Sequence, residues 1–520
     1  MKKSITLNKQ SLRHPADWPA SYTLPTFDTE AMIENTNDYP TWLHIGAGNI
    51  FRIFLAGLQQ DLLEAGHTNT GIVVYESYDE GIIPASFTPY DNLTLAVSLG
   101  ADGGIQKRVI ASVADAFHSD PVRLRDIIAR SSLQMISFTI TEKGYATQNI
   151  CQSPGEAKTV MEQVTAGLLL RYHVDPKPLA LVAMDNFAEN GTRIANAVTA
   201  IAETWLGNHH ATPGFIEYLK SLSYPWTMID KITPSPSKKV AEMLEAEGFT
   251  STGITQTAKH TTVAPFVNAE SPQYLVIEDA FPNGRPPFEK TVGQGVYLTD
   301  RETVRKADQM KVCACLNPLH TILGVSGTLL GYPTIAACMQ DKRLVALLNH
   351  AAEEAMPVVA NPGIINPQDF LQEVITVRFP NPFIPDTPAR INMDASQKIP
   401  VRFGVTLSSR AAAGLDIAGL DAIPRFVALW LRYRMGIDDT GMPMALSPDP
   451  KLPAAVLPLA ELKLGECTSA VDLRPILSDA ATFGVDLYAA GLAGKIEEIF
   501  AELAAKPGAV SDLLTKLYGA

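Results

Sequence analysis

Three things are scarce in this 520-residue chain: positive charge, cysteine and unbroken apolar stretches. Lys and Arg number 42 against 55 Asp and Glu, a formal net charge of −13. Nucleic-acid binders ordinarily carry a basic face, so that class loses its main support. The five cysteines, at 151, 313, 315, 338 and 467, are odd in number and thinly spread, which argues against a disulfide framework. No apolar run follows Lys2-Lys3, so no secretory signal is expected. Residues 312–340 lack Asp, Glu, Lys and Arg, but Asn317, Pro318, His320, Ser326, Thr328 and Pro333 interrupt them. So many polar groups and breakers predict a buried helix and turn rather than a membrane span. The expectation is a cytoplasmic protein with a small-molecule ligand and neither nucleic-acid nor membrane partners. The sequence leaves the oligomeric state open.

What is present is an ordinary globular balance, 46% hydrophobic and 19% charged. Residues 1–40 carry Pro15, Pro19, Pro25 and Pro40 and read as an irregular surface arm. Structure then begins with Trp42-Leu43-His44-Ile45, a short strand pattern, followed by Gly46-Ala47-Gly48 and a helical stretch from Asn49-Ile50-Phe51-Arg52. A second apolar run, Ile72-Val73-Val74-Tyr75, ends in Glu76. Strand, glycine turn, helix, strand and acid form the opening of a doubly wound nucleotide-binding fold. Two further apolar strands end in polar residues, Thr141-Glu142-Lys143-Gly144-Tyr145 and Asp185-Asn186. Ligands sit at that carboxyl end in open α/β sheets. The Pro- and Gly-rich stretch 281–287 is the best linker candidate. Beyond it the strand signal fades. The predicted division is an arm at 1–40, a Rossmann-like dinucleotide-binding domain at 41–288 and a mostly helical substrate domain at 289–520.

Glycines let a backbone approach a pyrophosphate, and a helix N-terminus favours its charge. Gly46 and Gly48 fill the first two places of a GxGxxG fingerprint, and Phe51 stands in the third. Arg52 could face a phosphate, although an arginine here is also an ordinary helix-surface residue. Glu76, 28 residues after Gly48, would bond ribose hydroxyls and repel a 2′-phosphate, favouring NAD over NADP.

Farther on, Asp308 and Lys311 precede Asn317 and His320. A lysine beside an apolar run loses solvation, which suits general-base work. Asn317 and His320, three residues apart, can share a helix face. The simpler account of both is a buried pair satisfied by backbone groups. The CxC spacing of Cys313 and Cys315 lacks the further ligands a zinc site needs, so no metal is expected.

Taken together these stretches resemble the polyol-specific long-chain dehydrogenase/reductase family, which includes mannitol dehydrogenases and fructuronate and tagaturonate reductases. The resemblance rests on Gly46-Ala47-Gly48-Asn49-Ile50-Phe51-Arg52, Thr141-Glu142-Lys143-Gly144-Tyr145 and Asp185-Asn186 with Asn190-Gly191. It continues in Met228-Ile229-Asp230-Lys231-Ile232-Thr233-Pro234, where Lys231 replaces the usual Arg, and in Arg378-Phe379-Pro380-Asn381-Pro382 followed by Asp386, Arg390, Asp394, Ser396 and Lys398.

The resemblance implies metal-independent hydride transfer with NAD. It implies Lys311 as general acid/base, Asn186 and Asn317 at the reacting oxygen, His320 at a substrate hydroxyl and Asp308 tuning the lysine. Arg390 and Lys398 would lie beside the substrate, with Asp230 near it; Gly46, Gly48, Asn49, Ile50, Phe51, Arg52, Glu76 and Asn186 would line the cofactor. The favoured reaction is D-fructuronate to D-mannonate. The alternatives are a mannitol 2-dehydrogenase, a tagaturonate reductase, or a non-catalytic NAD- or sugar-sensing protein on the same fold.

One departure predicts local geometry. Five residues, 312 to 316, separate Lys311 from Asn317 where the family has four. At about 100° per residue, a regular helix would swing Asn317 by roughly 100° away from its family direction. Pro318 also disfavours a continuous helix. A π-bulge or broken turn near 313–318 is therefore expected.

Overall fold

The computed structural model describes residues 4–291, 295–466 and 470–519. Cys467 lies outside them. The chain forms two compact units, Met1–Arg305 and Lys306–Ala520.

The first unit is built on five parallel strands: β1 (Trp42–Ile45), β2 (Ile72–Glu76), β3 (Val113–His118), β4 (Met135–Phe138) and β5 (Ala180–Ala183). Their spatial order is β3-β2-β1-β4-β5. This is the Rossmann order, with its switch point between β1 and β4. Both faces are covered, so apolar residues fill consecutive positions. Leu43, Ile45, Val73, Tyr75, Ile136 and Phe138 pack on one side, with helices α1 (Val160–Val174) and α2 (Asn190–Gly207). Trp42, Ile72, Val74 and Met135 pack on the other, with Phe54, Leu58 and Leu62 from the helix that follows β1. A full capping box, Thr159 with Glu162, starts α1.

Three expectations change here. The described part of the 1–40 segment, residues 4–40, is not an irregular arm. Helix Thr29–Asp38 and strand Tyr22–Thr23 are formed, the strand pairing with Lys107-Arg108. Ile5, Leu7, Trp18 and Tyr22 are buried, and these anchors hold the segment to the unit. Pro15 serves as a helix start rather than as a mark of disorder. The stretch 281–287 is not a linker. Asn283 bonds the Leu133 carbonyl at 2.9 Å, and Arg285 is ion-paired to Asp279 and Glu289. Strand Val296–Thr299 pairs with Tyr274–Glu278, so chain beyond residue 288 still belongs to the first unit. Backbone pairing overrode the Pro/Gly composition.

Among the described residues of the second unit there is no strand. Its interior holds helix Ala422–Arg434, whose Trp430 and Tyr433 are fully buried. Arg432 is buried too, donating to the carbonyls of Leu503, Ile437 and Asp438. The helical stretch Arg301–Leu329 is long and apolar enough to cross a membrane by composition, but 78% of its most apolar window is buried inside the protein.

Candidate active site

The glycine turn follows β1. Gly46 has φ +108°, and a Cβ there would stand 2.4 Å from the Thr139 carbonyl, so only glycine fits. A Cβ on Gly48 would meet nothing within 4 Å, which leaves that side of the turn open to a ligand. The helix begins at Asn49 and runs through a π segment, Phe51–Leu55. Asn49 and Ile50 are half-buried at its start, and Asn49 reaches the Pro234 carbonyl. Phe51, in the place of the third glycine, stacks on His44 at 4.0 Å in the core, so only its backbone can face a phosphate. Burial pushes His44 down to about 3, against a backbone hydrogen bond that opposes it. The turn thus fits a dinucleotide: a glycine cradle at a helix start, at the carboxyl end of β1.

Two residues assigned to this site act differently from expectation. Arg52 does not face a phosphate. It is buried, donating to Thr94 Oγ1 at 3.1 Å and the carbonyls of Ala264 and Ser86 at 2.9 and 3.4 Å. The π segment turns it inward, where distant carbonyls satisfy the guanidinium. Glu76 is also buried. Its carboxylate accepts the N–H groups of Ala47, Tyr78 and Asp79 at 2.7, 2.8 and 3.0 Å. It therefore fastens the glycine turn to the loop after β2.

At the carboxyl ends of β4 and β5, Asp185 accepts the N–H groups of Ile140 and Thr141 and the Tyr145 hydroxyl, the last at 2.6 Å. Thr141 is held at φ +65°, ψ 162°, a strained region for a β-branched residue. Asn190 donates to the Asp185 carbonyl and bonds Thr227 on both its atoms. A Cβ on Gly191 would stand 2.3 Å from the Tyr224 carbonyl, which explains the glycine in the Asn190-Gly191 pair. These contacts fix the turn that presents the exposed Asn186. Asp230 ends strand Thr227–Asp230 and is buried. Lys231 is buried beside it, its amine on the Glu270 carbonyl at 2.8 Å.

In the second unit the expected distortion is present. Lys311–Cys315 form a π turn, closed by the Leu316 N–H on the Lys311 carbonyl at 3.1 Å. Leu316 breaks the run at φ −126°, ψ −64°, and helix α3 (Asn317–Leu329) starts afresh with Pro318 in its first turn. There the missing N–H costs no helical bond. The π turn absorbs the extra residue between Lys311 and Asn317. Lys311 is 1% exposed. Asp308 lies one turn earlier; burial raises its carboxyl above the usual range, and Lys311 opposes the rise. Cys313 and Cys315 are buried thiols pushed up to about 12, so they are packing groups.

His320 stands at the centre of a charged cluster. Its Nε2 lies 3.2 Å from Asp386 Oδ2, and its ring lies 5.0 Å from Phe379. Asp386 also takes a two-pronged ion pair from the exposed Arg390, at 2.6 and 2.7 Å. Burial alone would raise the Asp386 carboxyl, but His320 and Arg390 hold it down to about 2. Burial lowers His320, which Asp386 partly offsets. Lys398, bonded to the Ile391 carbonyl, is pushed down to about 8, first by burial and then by Arg402. Arg402 was not foreseen. It sits on a π segment, Pro400–Gly404, and reaches the Thr321 hydroxyl and the Asn317 carbonyl. Its position four residues after Lys398 was the available signal.

Residues 40–290 match the model of the mannitol dehydrogenase Rossmann domain, and residues 303–511 match that of the mannitol dehydrogenase C-terminal domain. The D-mannonate oxidoreductase of Thermotoga maritima is 45% identical, over 99% of this chain and 99% of that protein. The chain belongs to the mannitol dehydrogenase family. Within that family, the mannitol 2-dehydrogenase of Cereibacter sphaeroides is 27% identical over 81% of this chain and 85% of its own. The fold is shared with a substrate-free D-sorbitol dehydrogenase at TM-score 0.77 and 22% identity, and with the Pseudomonas fluorescens mannitol 2-dehydrogenase in complex with NAD and D-mannitol at 0.73 and 24%. Each structural match covers 99% of both chains.

Proposed function

We propose that this chain is a cytoplasmic, NAD-dependent oxidoreductase that interconverts D-fructuronate and D-mannonate. The observation that carries the reading is the 45% identity, over essentially the whole length, to a protein named D-mannonate oxidoreductase. The glycine turn at Gly46 and Gly48 supports a dinucleotide, and NAD when bound supplies or accepts the hydride. The chain's own task is then the proton and the oxygen. In oxidation Lys311 takes the hydroxyl proton on its amine, and in reduction it returns that proton to the carbonyl oxygen. Asn186 and Asn317 donate hydrogen bonds to that oxygen as its charge develops. Asp308 relays the proton onward, and His320, held by Asp386, orients a neighbouring hydroxyl. Arg390 and Lys398 stand at the substrate, with Asp230 supporting its surroundings. Glu76 acts by holding the turn in shape, and its buried charge disfavours a 2′-phosphate nearby.

NADH and NADPH oxidation followed at 340 nm with D-fructuronate, D-tagaturonate and D-fructose tests the reading. Highest kcat/KM with D-fructuronate and NADH is expected. A clear preference for fructose or tagaturonate would replace the substrate assignment, and silence across the panel would favour a sugar-sensing protein.

A further inference from the structure

The charges around His320 do not balance evenly. Arg390 has Asp386 as its carboxylate partner. Lys398 feels Asp394 and Asp449 as well as the repelling Arg402 and Arg390. Arg402 has no such counterpart. Its hydrogen-bond partners are a hydroxyl and a carbonyl, and no carboxylate stands within ion-pair distance of it among the described residues. Burial accordingly lowers it to about 10, with no acid to offset the loss of solvation.

The location sharpens the imbalance. Asn317, whose carbonyl Arg402 reaches, is the first residue of the 13-residue helix α3. The start of a helix carries roughly half a positive charge. A half-buried guanidinium beside it, repelling both Lys398 and His320, is poorly placed unless an anion joins them. The cluster is also fixed in place. Thr321, which Arg402 contacts, is 1% exposed and bonded to the Asn317 carbonyl at 2.8 Å. The π segment carrying Arg402 packs against the π turn of Lys311.

We propose that Arg402 recognises the carboxylate of the substrate and is the residue that selects a sugar acid over a neutral polyol. This deepens the functional reading above and rests on its placing Asn317 and His320 at the substrate. Guanidinium and carboxylate match in geometry and charge, so an acid lying over His320 would supply the partner that the protein omits. A neutral polyol would leave the half-buried Arg402 without one.

The test is a binding measurement, independent of turnover. Calorimetry on the wild-type protein with NADH compares D-mannonate with D-mannonamide, its neutral amide. A preference of about 100-fold for the acid is expected, the scale of one charge-assisted pair. Arg402→Met should weaken D-mannonate by a similar factor while leaving NADH affinity and Tm close to wild type, and Arg402→Lys should recover part of the loss. Equal binding of acid and amide by the wild type overturns the inference. So does an Arg402→Met variant that folds and binds D-mannonate normally, or a loss that extends equally to the amide. If acid selectivity is found but no keto-uronate is reduced, the functional reading fails while the assignment of Arg402 stands.

Discussion

The Leu316 N–H donates to the Lys311 carbonyl at 3.1 Å, a bond spanning five residues where an α-helix spans four. That single bond takes up one residue more than an α-helical bond would between Lys311 and the start of the next helix. Such π turns recur at functional sites. Deleting Val312 should convert the turn to α-helix and restore the family spacing. Because the net rotation between Lys311 and Asn317 is then almost unchanged, turnover should stay within about tenfold, whereas inserting an alanine after Val312 should abolish it. Activity lost in the deletion and kept in the insertion would show that the two residues do not act together.

Lys311→Ala should lower kcat by about 10²–10⁴-fold, the usual contribution of a positioned acid/base, with NADH affinity little changed. Wild-type activity should survive a chelator. Inactivation by chelation that zinc reverses would sink the metal-free mechanism.

Arg52 gives the opposite expectation. Arg52→Met removes donors from buried carbonyls and should destabilise the fold by about 2–4 kcal/mol. The folded fraction should bind NADH as well as wild type does. Selective loss of cofactor affinity at unchanged stability would return Arg52 to the phosphate.

Asp386 carries a pH signature. Its folded value of about 2 lies below the unfolded value of about 4. The stabilisation is therefore complete above about pH 4 and is lost as pH falls toward about 2. Denaturant unfolding of wild type and Asp386→Asn should show a constant difference from pH 5 to 7 that shrinks below 4. A difference that grows on acidification would contradict the pairing with His320 and Arg390.

Lys398 is held at about 8 first by burial and then by Arg402 and Arg390, against Asp394 and Asp449, which raise it. It carries its charge below that pH and loses it above. Calorimetric affinity for D-mannonate should therefore fall between pH 7 and 9, and Lys398→Arg should flatten the profile. A flat profile in the wild type would remove Lys398 from the substrate.

Much of this molecule could be read from local pattern. Consecutive apolar residues marked β1 and β2 because a doubly covered sheet buries both faces of a strand. Gly46-Ala47-Gly48 marked the turn because only glycine tolerates the backbone required beside Thr139. The count of residues between Lys311 and Asn317, with Pro318, required a break because helical rotation is fixed per residue. Each of these follows from constraints within a few residues of chain. Tertiary structure alone decided the rest. Arg52 turns inward to carbonyls at 86 and 264, and Glu76 spends its carboxylate on three backbone N–H groups. Residues 4–40 fold because partners near 107 and 249 bury their apolar anchors. Among the described cations around His320, Arg402 stands without a carboxylate beside it only once three separate stretches meet there. The direction of a long side chain, and whether its charge is answered, depend on groups far along the sequence, and local spacing carries no record of them.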